Sequence, residues 1–197
     1  NNKIELPTRE KIDGPAGAYS DAVDFLRLMR PTGPWTLTQI HDGRITSETF
    51  SDAQRMAMGK WVRDRNNRIN LYWHINCTYG DPGNKSALED VSHLERLHVD
   101  IDPDPNAAGT IEEQRAIILT LLQDEARLKA AGIPGLPTSI VDSGGGYWAF
   151  WNLVEPASLN GATEQERREN AHRAGGHNKW IADQLNKMYG VKFGDAC

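Results

Sequence analysis

Strands and helices interleave along this 197-residue chain, which predicts a mixed fold, α/β or α+β. Two observations carry that expectation. Three capping boxes, Ser86-Ala87-Leu88-Glu89, Thr110-Ile111-Glu112-Glu113 and Thr163-Glu164-Gln165-Glu166, each announce the start of a helix. Between them lie short apolar runs, bounded by Gly, Pro, Asn and Asp, that read as strands.

Taken in order, Ala18 to Arg30 has Ala22, Phe25, Leu26 and Met29 at helical spacing, with Ser20 or Asp21 able to cap it and Pro31, Gly33 and Pro34 to end it. Trp35 to Ile40 reads as a strand, His41-Asp42-Gly43-Arg44 as a hairpin turn, and Ile45 to Phe50 as its partner. Ser51 and Asp52 can cap a helix to about Arg65, and Asn70 to Asn76 alternates like a strand. Thr78 to Lys85 is a loop, and the first capping box then opens a short helix. Leu97 to Ile101 is a strand stopped by Pro103-Asp104-Pro105-Asn106, and the second box starts a long helix to about Ala131. Thr138 to Val141 and Tyr147 to Leu153 are strands joined by a glycine turn, and the last helix runs from the third box to about Tyr189. No internal repeat or low-complexity linker divides the chain.

Hydrophobic residues at 39% and charged residues at 25% describe a chain that can bury a core. No apolar run approaches the roughly 18 residues a membrane helix needs. Asn1 to Glu10 carry neither an apolar stretch nor a small-residue cleavage site, so no secretion signal is expected. Cys77 and Cys197 are too few for a disulfide framework or a zinc cluster, which leaves a reducing, intracellular location as the expectation. A net charge of −5 argues against simple coating of nucleic acid, but allows a local basic surface beside an acidic site.

The sharpest motif is Leu97-His98-Val99-Asp100-Ile101-Asp102-Pro103. Side chains alternate along a strand, so Asp100 and Asp102 share one face while Val99 and Ile101 point into the core. Two carboxylates side by side repel unless a cation reconciles them, and hard oxygen donors suit Mg²⁺ or Mn²⁺. A lone Asp-x-Asp also describes a solvated strand end; here the apolar flanks mark the strand as buried, and a buried strand carrying two acids calls for a counter-ion. His98 lies on the acidic face and can orient a carboxylate.

A second motif, Asp142-Ser143-Gly144-Gly145-Gly146-Tyr147-Trp148, has more glycine than a hairpin requires. Its backbone N–H groups can surround an anion, Ser143 adds a hydroxyl, and a triphosphate is the natural guest. It is no Walker loop, since neither Lys-Ser nor Lys-Thr follows. A third acid, Asp195, follows the short apolar stretch Val191-Lys192-Phe193.

In this order the three pieces resemble the archaeo-eukaryotic primase superfamily, in the branch of plasmid and phage replication proteins with a RepB-like primase domain. The likeness covers roughly Leu71 to Cys197 and includes Asn84-Lys85 ahead of the acidic strand. It implies an α+β fold with an RRM-like antiparallel-sheet catalytic core of the primase–polymerase type over residues 70–197, flanked by an N-terminal α/β part over residues 1–69. All 197 residues would form one catalytic domain at the start of a larger replication protein. The implied activity is template-dependent nucleotidyl transfer by a DNA primase or polymerase. Asp100, Asp102 and Asp195 would be catalytic and would hold Mg²⁺ or Mn²⁺. Ser143, Gly144, Gly145 and Gly146 would bind the nucleotide, with Lys85 and His98 as further contacts. Where much of the superfamily has a phosphate-contacting histidine this chain has Trp148, whose indole can stack on a base or sugar. Implied partners are single-stranded DNA, a dNTP or rNTP and a helicase domain or protein, in the cytoplasm of a bacterial host and with no membrane.

A template needs a basic track, and Lys60, Arg63, Arg65 and Arg68 cluster near one helix end with Asp64 opposing them. Trp61, Trp73, Trp151 and Trp180 read as core residues. Two other functions fit parts of the pattern. One is a replication-initiator or DNA-binding module that kept the fold and lost catalysis. The other is a metal-dependent glycosyltransferase, whose Asp-x-Asp pair would bind a nucleotide-sugar diphosphate but which leaves Asp195 without a role.

Overall fold

The structure, a computed structural model, describes residues 17–66, 68–190 and 194–195. Its described part divides into two units, the first running to His93 with Ser158–Asn160 added, the second formed by Leu94–Ala157 and the residues from Gly161 on.

The first unit opens with α1 (Gly17–Met29), which starts upstream of Ser20 and Asp21, so neither stands at its N-cap. The strands β1 (Trp35–His41) and β2 (Arg44–Phe50) pair antiparallel from Trp35↔Phe50 to His41↔Arg44. Their two-residue turn holds Asp42 at φ 50° and Gly43 at φ 75°, the left-handed pair a tight hairpin needs. A single 3₁₀ turn capped by Ser51 leads into α2 (Arg55–Arg65). The strand β3 (Asn70–Trp73) then joins the free edge of β1, giving the order β2-β1-β3, and β4 (Cys77–Thr78) follows.

One face of this sheet is apolar: Trp35, Leu37 and Phe50 pack with Leu26 of α1 and Met58, Trp61 and Val62 of α2. The α2 residues recur at helical spacing, which is why this helix lies on the sheet. The other face is a layer of hydroxyls. Thr36 bonds Thr49 at 2.9 Å and Thr78 at 2.8 Å, and Thr38 bonds Ser47 at 2.7 Å and His74 Nε2 at 3.0 Å. Because β1 pairs antiparallel on both edges, the N-terminal part is α+β rather than the expected α/β. The unit also extends past the expected limit at residue 69, because β3 finds its partner in β1.

The second unit is built on β5 (Val91–Ile101), which begins inside the first unit. It is followed by α3 (Ile111–Leu122), α4 (Glu125–Ala130), β6 (Ser139–Asp142), β7 (Tyr147–Ser158), α5 (Glu164–Tyr189) and β8 (Gly194–Asp195). β6 and β7 pair antiparallel from Ser139↔Phe150 to Asp142↔Tyr147, β7 lies next to β5, and β8 pairs with the end of β5. Val99, Ile101, Tyr147, Ala149 and Trp151 face a core shared with Ile118, Leu121 and Leu122 of α3, Leu128 of α4, and Ile181, Ala182 and Leu185 of α5. The three helices therefore cover one sheet face, and the residues alternating with these strand positions, His98, Asp100, Trp148 and Phe150, belong to the other.

Four local expectations are revised. The first capping box does not open a helix: Asp90 accepts Ala87 N at 2.7 Å and makes one 3₁₀ turn, since β5 pairing begins at once at Val91. The long helix breaks in two because Asp124 turns its carboxylate onto Arg127 N at 3.0 Å and caps a new start. β5 is eleven residues long, not five, because β4 pairs with its first residues. Finally, Trp180 is 42% exposed, unlike Trp61 and Trp151, which are core. Among the described residues no helix is long and apolar enough to cross a membrane.

Candidate nucleotide and metal site

Asp100 is the last acid within β5, and Asp102 stands one residue past its end, exposed at the tip. The strand stops there because the next turn is fastened elsewhere. Gln114 of α3, itself buried, accepts Asp104 N at 2.9 Å and donates to Asp104 O at 3.0 Å. Asp104 spends its carboxylate on Asn106 N at 2.8 Å, closing a local turn. Thr110 and Glu113 then form the capping box the sequence predicts, at 3.2 and 2.8 Å. The acidic tip is thus pinned between a strand and a helix start.

The third acid arrives by strand pairing. β8 pairs antiparallel with β5 in the register Asp100↔Asp195. The side chain of Asp195 lies outside the described residues; its backbone position is opposite Asp100. Among the described residues no group of three His, Cys, Asp or Glu side chains is gathered around one point.

His98 precedes the pair and is held by α5. Asn178, buried at 3% exposure, accepts His98 N at 3.1 Å through Oδ1 and presents Nδ2 to His98 Nδ1 at 3.2 Å. An amide N–H₂ can only donate, so Nδ1 accepts and the ring proton sits on Nε2. Burial, with the Arg96 guanidinium adding to it, pushes the imidazole pKa down to about 4, so the ring is neutral near pH 7. His98 lies nearly parallel to Phe150, with centroids 6.3 Å apart, and Phe150 meets Trp148 edge-on at 6.3 Å.

The glycine turn lies against the acidic tip. A Cβ on Gly146 would run into Ile101 O and Asp102 Oδ1 and fall 2.9 Å from Asp102 Cα, so only glycine fits there. At Gly145 the same atom would lie 3.7 Å from Asp102 Oδ1, an ordinary contact. Two amides expected to face a ligand are donated within the turn: Gly144 N to Asp142 Oδ1 at 2.8 Å and Gly146 N to Ser143 Oγ at 2.9 Å. Across the turn lies Arg115 of α3. Its Nη2 donates to Asp142 Oδ1 and Oδ2 at 2.9 and 2.8 Å, and its Nη1 to Gly144 O at 3.0 Å. The guanidinium also lies 4.9 Å above the Tyr147 ring. The Arg115 hydrogen bond, with the Gly144 amide adding to it, holds the Asp142 carboxyl below its ordinary pKa.

The structure therefore gathers His98, Asp100, Asp102, Ser143, Gly144, Gly145, Gly146, Trp148 and the Asp195 backbone in one unit. Lys85 belongs to the other unit, on a loop that is well tied down. Ser47 N donates to Gly83 O at 3.0 Å, Ser47 Oγ to Asn84 O at 2.5 Å, and Ser86 Oγ meets His74 Nε2 at 3.3 Å, so both neighbours of Lys85 are anchored. The basic cluster also lies in that unit and is partly committed. Lys60 and Arg63 both approach Asp64, at 2.8 and 3.6 Å. Arg65 donates to Gln39 at 2.7 Å and covers the Trp61 ring at 4.3 Å, which is a packing role, while Arg68 is exposed.

Sequence reasoning missed Arg115, Gln114 and Asn178. Each sits inside a helix among ordinary neighbours, and only the pairing of distant segments reveals its role. No family model, curated protein or solved structure matches the chain.

Proposed function

We propose that this chain is a template-dependent nucleotidyltransferase, a DNA primase or polymerase acting on single-stranded DNA in plasmid or phage replication. The observation that carries the reading is the register Asp100↔Asp195. Two acids separated by most of the catalytic segment in sequence meet as strand partners, two residues from the acidic tip at Asp102. The order β-α-β-β-α-β, with the last strand beside the first and the first beside the third, is the connectivity of RRM-like sheets and supports the expected catalytic core.

Three carboxylates offer the hard oxygen donors that Mg²⁺ or Mn²⁺ prefers, and the close approach of Gly146 keeps the Asp102 carboxylate against the turn. Asp100, Asp102 and Asp195 would hold the metal. When bound, such ions lower the pKa of an attacking hydroxyl and neutralise charge on the reacting phosphate. The protein's own part is positional. The Gln114 clamp fixes the acidic tip, Asn178 holds the His98 ring in the tautomer with a donor at Nε2, and Trp148 offers an apolar surface to a base or sugar. A basic track through Lys60, Arg63 and Arg68 would meet the template.

The test is incorporation of labelled dNTPs or rNTPs on a primed single-stranded template with Mg²⁺ or Mn²⁺. The double substitution Asp100→Asn and Asp102→Asn is expected to lower incorporation at least about a thousandfold. It should leave the circular-dichroism spectrum unchanged, because it removes mutual repulsion. Normal extension by the double variant sinks the assignment. A second reading, a replication-initiator module without catalysis, is favoured by the inward-facing amides of Gly144 and Gly146. It predicts single-stranded DNA binding with no incorporation under any metal.

A further inference from the structure

The carboxylate of Asp142 occupies the place an outside anion would take. Its two oxygens both accept from Arg115 Nη2, at 2.9 and 2.8 Å, and Oδ1 also accepts the Gly144 amide at 2.8 Å. A guanidinium grips carboxylates and phosphates with the same planar pair of N–H donors. The two partners differ in how firmly they are held. Arg115 has 18% of its side chain exposed and is held by Gly144 O and the Tyr147 ring as well, whereas Asp142 is 57% exposed. If the carboxylate swings into water, the guanidinium stays on Gly144 O through Nη1 and its Nη2 is freed beside the glycine turn.

We propose that Arg115 is a phosphate-binding residue and that Asp142 occupies its guanidinium until the phosphates of a nucleoside triphosphate replace it. The inference rests on the nucleotide reading above and gives the incoming phosphates a charged donor in the same unit as the glycine turn. It also reconciles the glycine-rich turn with its inward amides: Gly144 N is freed when Asp142 leaves, and Ser143 Oγ, which accepts Gly146 N at 2.9 Å, keeps its own proton to donate. A triphosphate carries several negative charges against one on Asp142, and an exposed carboxylate gives up its ion pair at little cost, so exchange is favourable.

Opposite signs in two variants test it. Binding of dATP and of inorganic tripolyphosphate, each with Mg²⁺, is measured by calorimetry on the whole chain. Asp142→Asn keeps Oδ1 for the Gly144 amide but removes the charge that competes for Arg115, and is expected to tighten binding roughly threefold or more. Arg115→Gln is expected to weaken it at least about tenfold. Arg115→Lys keeps the charge and loses the fork, and should also weaken binding, which long-range attraction alone does not produce. If Asp142→Asn and Arg115→Gln weaken binding together, the pair is only a structural lock and the inference is overturned; unchanged affinities overturn it equally. Primer extension on the same preparations separates the two readings. Extension without the opposite shifts rejects the Arg115 site alone. Opposite shifts without extension keep the phosphate site and reject the polymerase.

Discussion

Gly146 shows how much one missing atom can decide. Its backbone lies so close to Ile101 O and Asp102 that a methyl group must displace the strand tip. Gly146→Ala is therefore expected to cost roughly 1–3 kcal/mol in urea unfolding. Gly145→Ala, whose Cβ would lie 3.7 Å from Asp102 Oδ1, is the matched control and should be close to neutral. Equal destabilisation by the two would mean that the turn does not press on Asp102. The three glycines look alike in sequence, and only the strand beside them makes one of them obligatory. The same holds for Arg65, which reads as part of a basic track and is spent on Gln39 and Trp61.

The element that ties the acidic strand to the helical layer is α5, through Asn178. One buried amide satisfies both the His98 N–H and the His98 ring nitrogen. Asn178→Leu leaves a buried donor and acceptor unmatched and should lower stability by roughly 2 kcal/mol, read as a drop in the urea midpoint. A shift within error would show that water replaces the amide at no cost. The start of α5 at Thr163 and the start of α3 at Thr110 were legible because a cap is a local device, made by residues three apart. The failed box at Ser86 and the break at Asp124 were not legible, because strand pairing from Val91 and a competing cap override the local pattern.

Across the whole molecule, two half-buried histidines tie stability to pH. Burial lowers the pKa of His74, and burial with Arg96 lowers that of His98 from 6.5 to about 4. The folded state therefore resists a proton that the unfolded chain accepts. Stability should be full above about pH 6.5 and fall as pH drops below it, with the His98 contribution lost progressively toward pH 4. Between pH 7 and pH 5 that contribution amounts to about 2 kcal/mol. Urea unfolding at the two pH values checks this, and His98→Gln should flatten the dependence. Identical midpoints for the parent chain at pH 7 and pH 5 would contradict the buried, neutral ring.

The sequence alone determined where most of the helices and strands lie, that the fold mixes the two, and the two acids that flank Ile101 at the strand tip. These follow from periodicity, caps and turn residues, which act over a few neighbours. Tertiary structure decided that β3 joins β1, that Asp195 lies opposite Asp100, and that Arg115 reaches across to Asp142. Such contacts join residues far apart in the chain. Their partners are selected by which faces must be buried together, and no local pattern records that choice.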